Sequence, residues 1–203
     1  MKLSTVARAG LVVAAAVAAP VVALAPAPRG GGVTVADLVK GSRSSGLDGW
    51  ELVDRATALV HEAFDHYSAW HLWESPETAL AHGRGSSVQV NRVLARVLGE
   101  LGFDVAVVHA ARVRFGRHPW WHAGHVWVRV TIAGDERDVC AMTLGNSAGN
   151  VAFTPLTEVR ELHSWTVPAV SVGLAPFVAV QVWRQLLLGD AVPRWMYRGI
   201  DER

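Results

Sequence analysis

Apolar positions follow two different periods along this chain. Trp50, Val53, Ala56, Val60 and Phe64 recur at spacings of three and four, which predicts one buried helical face with Asp48 placed to cap it. A second stripe, Val90, Val93, Leu94, Val97, Leu98 and Leu101, follows Gly83-Arg84-Gly85 and stops at Gly102, a common residue just past a helix end. Ala36 to Lys40 predicts a shorter helix, and Ser75-Pro76 marks a boundary after an aromatic, irregular stretch from Tyr67. Beyond Gly102 the period becomes two. Asp104 to Phe115 is rich in valine. Gly124 to Ile132 alternates, with Val126, Val128 and Val130 on one face and His125, Trp127 and Arg129 on the other. Ala133-Gly134-Asp135 predicts a turn, and Glu136 to Ala141 a returning strand. A mixed segment follows Thr154-Pro155, and Phe177 to Leu188 predicts a final amphipathic helix.

The N-terminus has its own pattern. Lys2 and Arg8 precede an apolar run from Ala9 to Ala25, the order of an export signal. Ala23-Leu24-Ala25 and Ala16-Val17-Ala18 both fit a small-x-small cleavage rule. Uncleaved, the run is barely long enough for a bilayer, which takes about 20 apolar residues. Residues 1–25 therefore predict a signal peptide or membrane anchor, 26–32 a glycine-rich linker, and 33–203 the folded domain with a helical C-terminal extension. The expected location is secreted or membrane-anchored outside the cytoplasm. A misassigned start codon would leave the protein cytoplasmic. Membrane contact is expected only through the N-terminal segment.

Composition removes several classes of function. Apolar residues make up 51% of the chain and the formal net charge is +1, which argues for a packed domain and against a basic nucleic-acid surface. A single cysteine, Cys140, excludes an intrachain disulfide and a multi-cysteine zinc site. There is no nucleotide loop or cofactor fingerprint, so no cofactor is expected. His118, His122 and His125 are a conceivable zinc set, but Pro119 and the following strand break helical ligand spacing, and no metal is expected. Trp120 and Trp121 are read as loop-packing residues or as an aromatic rim for an extended peptide or glycan.

The remaining chemistry is concentrated in three places. Ser87 opens the second buried helix, beside unpaired backbone N–H groups and the positive end of the helix dipole. Those groups lower a thiol pKa and can hold an oxyanion. His125 lies on a strand, where a histidine can act as base and then acid. Asp138 lies on the next strand, where a carboxylate can orient an imidazole. The plainer roles are also open. Ser86 or Ser87 can be simply a helix cap, His125 a half-buried strand residue, Asp138 a partner for Arg129 or Arg137, and Cys140 a small buried apolar residue.

From Pro76 to Ala141 the sequence resembles the transglutaminase-like superfamily. The resemblance is carried by Gly83-Arg84-Gly85-Ser86-Ser87, the helix through Leu101-Gly102-Phe103, Gly124-His125-Val126-Trp127-Val128-Arg129-Val130 and Arg137-Asp138-Val139-Cys140. That family shows a Gly-x-Cys at the helix start and a Leu-Gly pair fifteen residues after the Cys; counting back from Gly102 reaches Ser87. The resemblance implies an α+β fold with a papain/transglutaminase-like core, a central helix on an antiparallel sheet, and further N- and C-terminal helices. It implies catalytic roles for Ser87, His125 and Asp138, acyl transfer or hydrolysis at an amide or peptide bond, and a peptide or protein substrate. Two departures stand out. The nucleophilic Cys is a Ser, which gains little from a site tuned for a thiolate. In ungapped register Cys140, and not Asp138, falls at the family's orienting Asp. A domain that keeps the cleft and binds a peptide or cell-envelope ligand without turnover is the alternative.

Overall fold

The computed structural model describes residues 5–116, 118–163 and 167–201, and for 118–122 and 167–172 the backbone alone. Six helices and eight strands alternate along it. They are α1 (Thr5–Ala23), α2 (Val35–Arg43), α3 (Gly49–Glu62), β1 (His66–Ser68), α4 (Pro76–Ala81), β2 (Arg84–Gly85), α5 (Ser87–Leu101), β3 (Asp104–Phe115), β4 (His118–Ile132), β5 (Asp135–Val139), β6 (Phe153–Pro155), β7 (Arg160–Glu161), α6 (Val167–Leu188) and β8 (Tyr197–Gly199). The main sheet is antiparallel in the order β5-β4-β3-β6, with β7 also on β3; a small sheet runs β2-β1-β8.

The helical stripe read from the sequence is the centre of the core. Val90, Val93, Leu94, Val97 and Leu98 of α5 are exposed by 1% or less and pack with α2, α3 and α4 against Val128, Val130 and Val139 of the sheet and Ala141 just past it. Each such side chain contributes about 1.5–3 kcal/mol of apolar transfer. Gly102 ends α5 at φ 98, a left-handed value a β-carbon would disfavour. The other face of the sheet has its own cluster, Val108, Ala110, Val113, Trp127, Cys140 and Phe153. The alternation along β4 thus divides its side chains as the period of two requires.

Ala133 and Gly134 both have positive φ, 50 and 86, which is the two-residue hairpin turn joining β4 to β5.

Two regions differ from their sequence reading. The final helix begins ten residues earlier, at Val167, and its described part is not amphipathic. Phe177, Val180, Leu187 and Leu188 are exposed by 56–70%, because Arg184 is the single charged residue in a helix that is apolar all round. The second concerns residues 26–32, read as a linker, whose course along the domain the sequence did not show. Gly30 and Gly32 donate main-chain hydrogen bonds to His82 and Ala81, and Arg84 binds the carbonyl of Pro26. A β-carbon on Gly30 would lie 2.5 Å from the main chain of His82 and Gly83. Glycine is what permits that approach.

Candidate functional site

Ser86 is the N-cap of α5, so Ser87 is its first helical residue. Gln89 fixes this start. Its Oε1 accepts from the Ser86 N–H at 2.9 Å, and its Nε2 donates to the carbonyls of His71 and Glu74, both at 2.9 Å. Behind it lies a buried polar group: Glu74 pairs with Arg84 at 2.8 Å, and Ser68 Oγ lies 2.6 Å from His71 Nδ1. Burial, and then the Arg84 charge, push His71 down to about 4.

One turn into the helix, Asn91 joins three elements. Its Nδ2 donates to the carbonyls of Ser87 at 3.1 Å and Val126 at 2.8 Å, and lies 3.5 Å from Cys140 Sγ. Its Oδ1 accepts from the N–H of Ala141 at 3.1 Å. Asn91 is fully buried, and this one amide holds the start of α5 against β4 and the end of β5.

His125 projects to the Trp127 side of β4, away from the stripe of α5. Its ring lies 4.7 Å from the Phe153 ring and 5.5 Å from that of Phe115, both edge to face. Nε2 is 3.4 Å from Cys140 Sγ. Burial pushes His125 down to about 4 and the Cys140 thiol up to about 11, so both are neutral around pH 7. Asp138 lies elsewhere. Its carboxylate takes Arg129 Nε at 2.9 Å and Nη2 at 3.4 Å, directly across the β4–β5 ladder.

The fold therefore brings His125 and Cys140 together and connects both to the Ser87 backbone through Asn91. Among the described residues no hydrogen bond joins the Ser87 hydroxyl to His125, and none joins Asp138 to His125. The side chains of His118, Trp120, Trp121 and His122 lie outside the described residues. Within the described residues no group of three or more His, Cys, Asp or Glu could hold a metal.

Gln89 and Asn91 are the residues that sequence reasoning missed. Gln89 had a readable signal, since Ser-x-x-Gln at a helix start is a capping-box pattern. Asn91 had a weaker one, a lone amide directly beside an apolar stripe.

No protein-family model matches the chain, nor does any curated protein. Among solved structures it is similar to the crystal structure of a TGase, with a TM-score of 0.43 and 12% identity over 55% of this chain and 31% of that one. The chain thus spans about a third of that protein's length, and a likeness of this size assigns no residue a role.

Proposed function

We propose that this is a transglutaminase-like domain that has stopped turning over and keeps its cleft for a peptide or cell-envelope ligand. The observation that carries the reading is the neighbour of His125. A base that works through an imidazolium is held and stabilised by a polar group beside it, most often a carboxylate and in papain-like enzymes an asparagine amide. Here the neighbouring group is the neutral thiol of Cys140, in a pocket that already holds His125 well below its ordinary pKa. Such an imidazole is a weak base near neutrality, and a serine hydroxyl is a poorer nucleophile than the thiolate it replaces.

The active reading rests on the place of Ser87 at the start of α5. Ser87 Oγ would attack an amide carbonyl carbon, and His125 would take the hydroxyl proton and return it to the leaving amine. Water or a second amine would then release the acyl group. Asp138 would orient His125 in this scheme, which requires it to leave Arg129.

A fluorophosphonate probe separates the two. The non-catalytic reading expects no label on the wild-type chain. A label that vanishes in Ser87→Ala would overturn it. Descent from a cysteine enzyme has its own test, Ser87→Cys combined with Cys140→Asp, which supplies both a thiol and a carboxylate. Iodoacetamide alkylation of this variant should show a thiol pKa below the ordinary value of about 8.5. That pKa should rise again when His125→Ala is added. An ordinary pKa indifferent to His125 would make Ser87 a helix residue and nothing more.

A further inference from the structure

We infer that α1 stays in the mature protein and that α6 enters the same lipid bilayer beside it, so the domain is seated on the membrane by two elements. The argument begins with two tryptophans. Trp70 is 1% exposed, and its Nε1–H donates to the Val21 carbonyl of α1 at 2.7 Å. Trp183 of α6 donates to the Val17 carbonyl at 3.3 Å. Val21 and Ala25, both partly buried, pack against the cluster of Trp70, Val178, Val182 and Met196, together with Leu72, Val192 and Trp195. Cleavage at either small-x-small site would remove one or both acceptors. Cleavage after Ala25 would leave the buried Trp70 N–H without its partner and open an apolar cluster to water. A segment built into the packing this way is a part of the fold, unlike a leader that is discarded.

Among the described residues the rest of the pair is uncovered. α1 is 19 residues long with a mean hydropathy of 2.0, and none of that span is buried. At 1.5 Å per residue it reaches about 28 Å, close to the roughly 30 Å hydrocarbon core of a bilayer; the part beyond Arg8 covers about 22 Å, and the long Arg8 side chain can reach back to the head groups. Arg8 in its first turn, preceded in the sequence by Lys2, supplies the charge that stays on the cytoplasmic side, which puts the domain on the other. The apolar surface then continues onto α6 through Leu174, Phe177, Val180, Leu187 and Leu188. Continuity with a helix of spanning length identifies the occupant of this face as lipid. Its polar margin suits the head-group layer: Trp183 has an apolar body with a polar edge, and Arg184 is paired with Asp190 at 2.8 Å.

The test uses the full chain, expressed in a bacterial host and purified from its membranes. Intact mass decides retention, and a chain beginning at Pro26 or Ala19 overturns that half. For α6, Leu187→Cys is made with Cys140→Ser and carries a polarity-sensitive fluorophore. Leu187 is 70% exposed, so the label should not disturb folding. In vesicles of phosphatidylethanolamine and phosphatidylglycerol, the label should lose quenching by iodide and gain quenching by brominated lipid. A label that remains open to iodide while the chain is vesicle-bound shows that α1 anchors alone, and the proposal for α6 fails.

Discussion

The α5–sheet interior and the α1–α6 pair are similarly apolar, yet they treat their side chains in opposite ways. Around α5 the valines and leucines from Val90 to Leu98 are covered by other elements, and Asn91 and Gln89 hydrogen-bond main-chain groups between them. On α1 and α6 comparable side chains face outward, and few polar partners are needed because helical backbone satisfies itself. Hydrophobicity alone therefore does not locate a protein core. In the first region buried amides satisfy main-chain groups between elements; in the second the indoles of Trp70 and Trp183 make the polar ties while most of the apolar surface stays outside.

Asn91→Leu should give the largest effect. It leaves the Ala141 N–H and the Val126 carbonyl buried without partners, at a cost of about 4 kcal/mol. Urea unfolding measures it, and an unchanged midpoint would mean that the amide does not hold the two layers together. Next is a matched pair of leucines. Leu98→Ala should cost about 3 kcal/mol, whereas Leu187→Ala should cost less than about 0.5 kcal/mol in detergent. Equal losses would erase the contrast between the regions.

Acid provides a third test of the interior. His71 and His125 are both held down to about 4 from 6.5, so the unfolded chain binds protons first as pH falls. Their neutral burial supports stability in full above 6.5, and this support is lost progressively as pH drops toward about 4, at most about 3 kcal/mol for each. Urea midpoints that stay level across that window would contradict it, and His125→Gln should flatten the slope. A further loss, smaller than that of Leu98→Ala, belongs to the seam between the regions. Gly30→Ala puts a methyl against the main chain of Gly83 and should cost about 2 kcal/mol. A change below experimental error would restore 26–32 to a free linker.

Periodicity made the framework legible. The alternation of Val126, Val128 and Val130 gave the strand its core face, and Gly102 gave the helix its end. The Asp138–Arg129 pair was open to the same reading, because opposite charges across a hairpin are a local matter. What escaped were long-range partners. Asn91 reaches residues 35 and 50 positions away, and no local pattern specifies them. The helical period likewise failed to show how far the apolar surface of α6 extends, because a helix that is apolar all round has no polar stripe to be read. Ungapped counting already sets Cys140, and not Asp138, at the family's orienting position, and Cys140 is the residue whose Sγ lies 3.4 Å from His125 Nε2.

The tie from Trp183 to Val17 spans 166 residues, and this distance sets an order of events during synthesis. At roughly 5–20 residues per second, α1 leaves the ribosome about 10–30 s before its partner helix exists. For that interval α1 lacks its α6 neighbour, and under the proposal above the bilayer receives it first. The domain then assembles on a helix already in place, and the indole of Trp183 closes the structure as one of its last contacts.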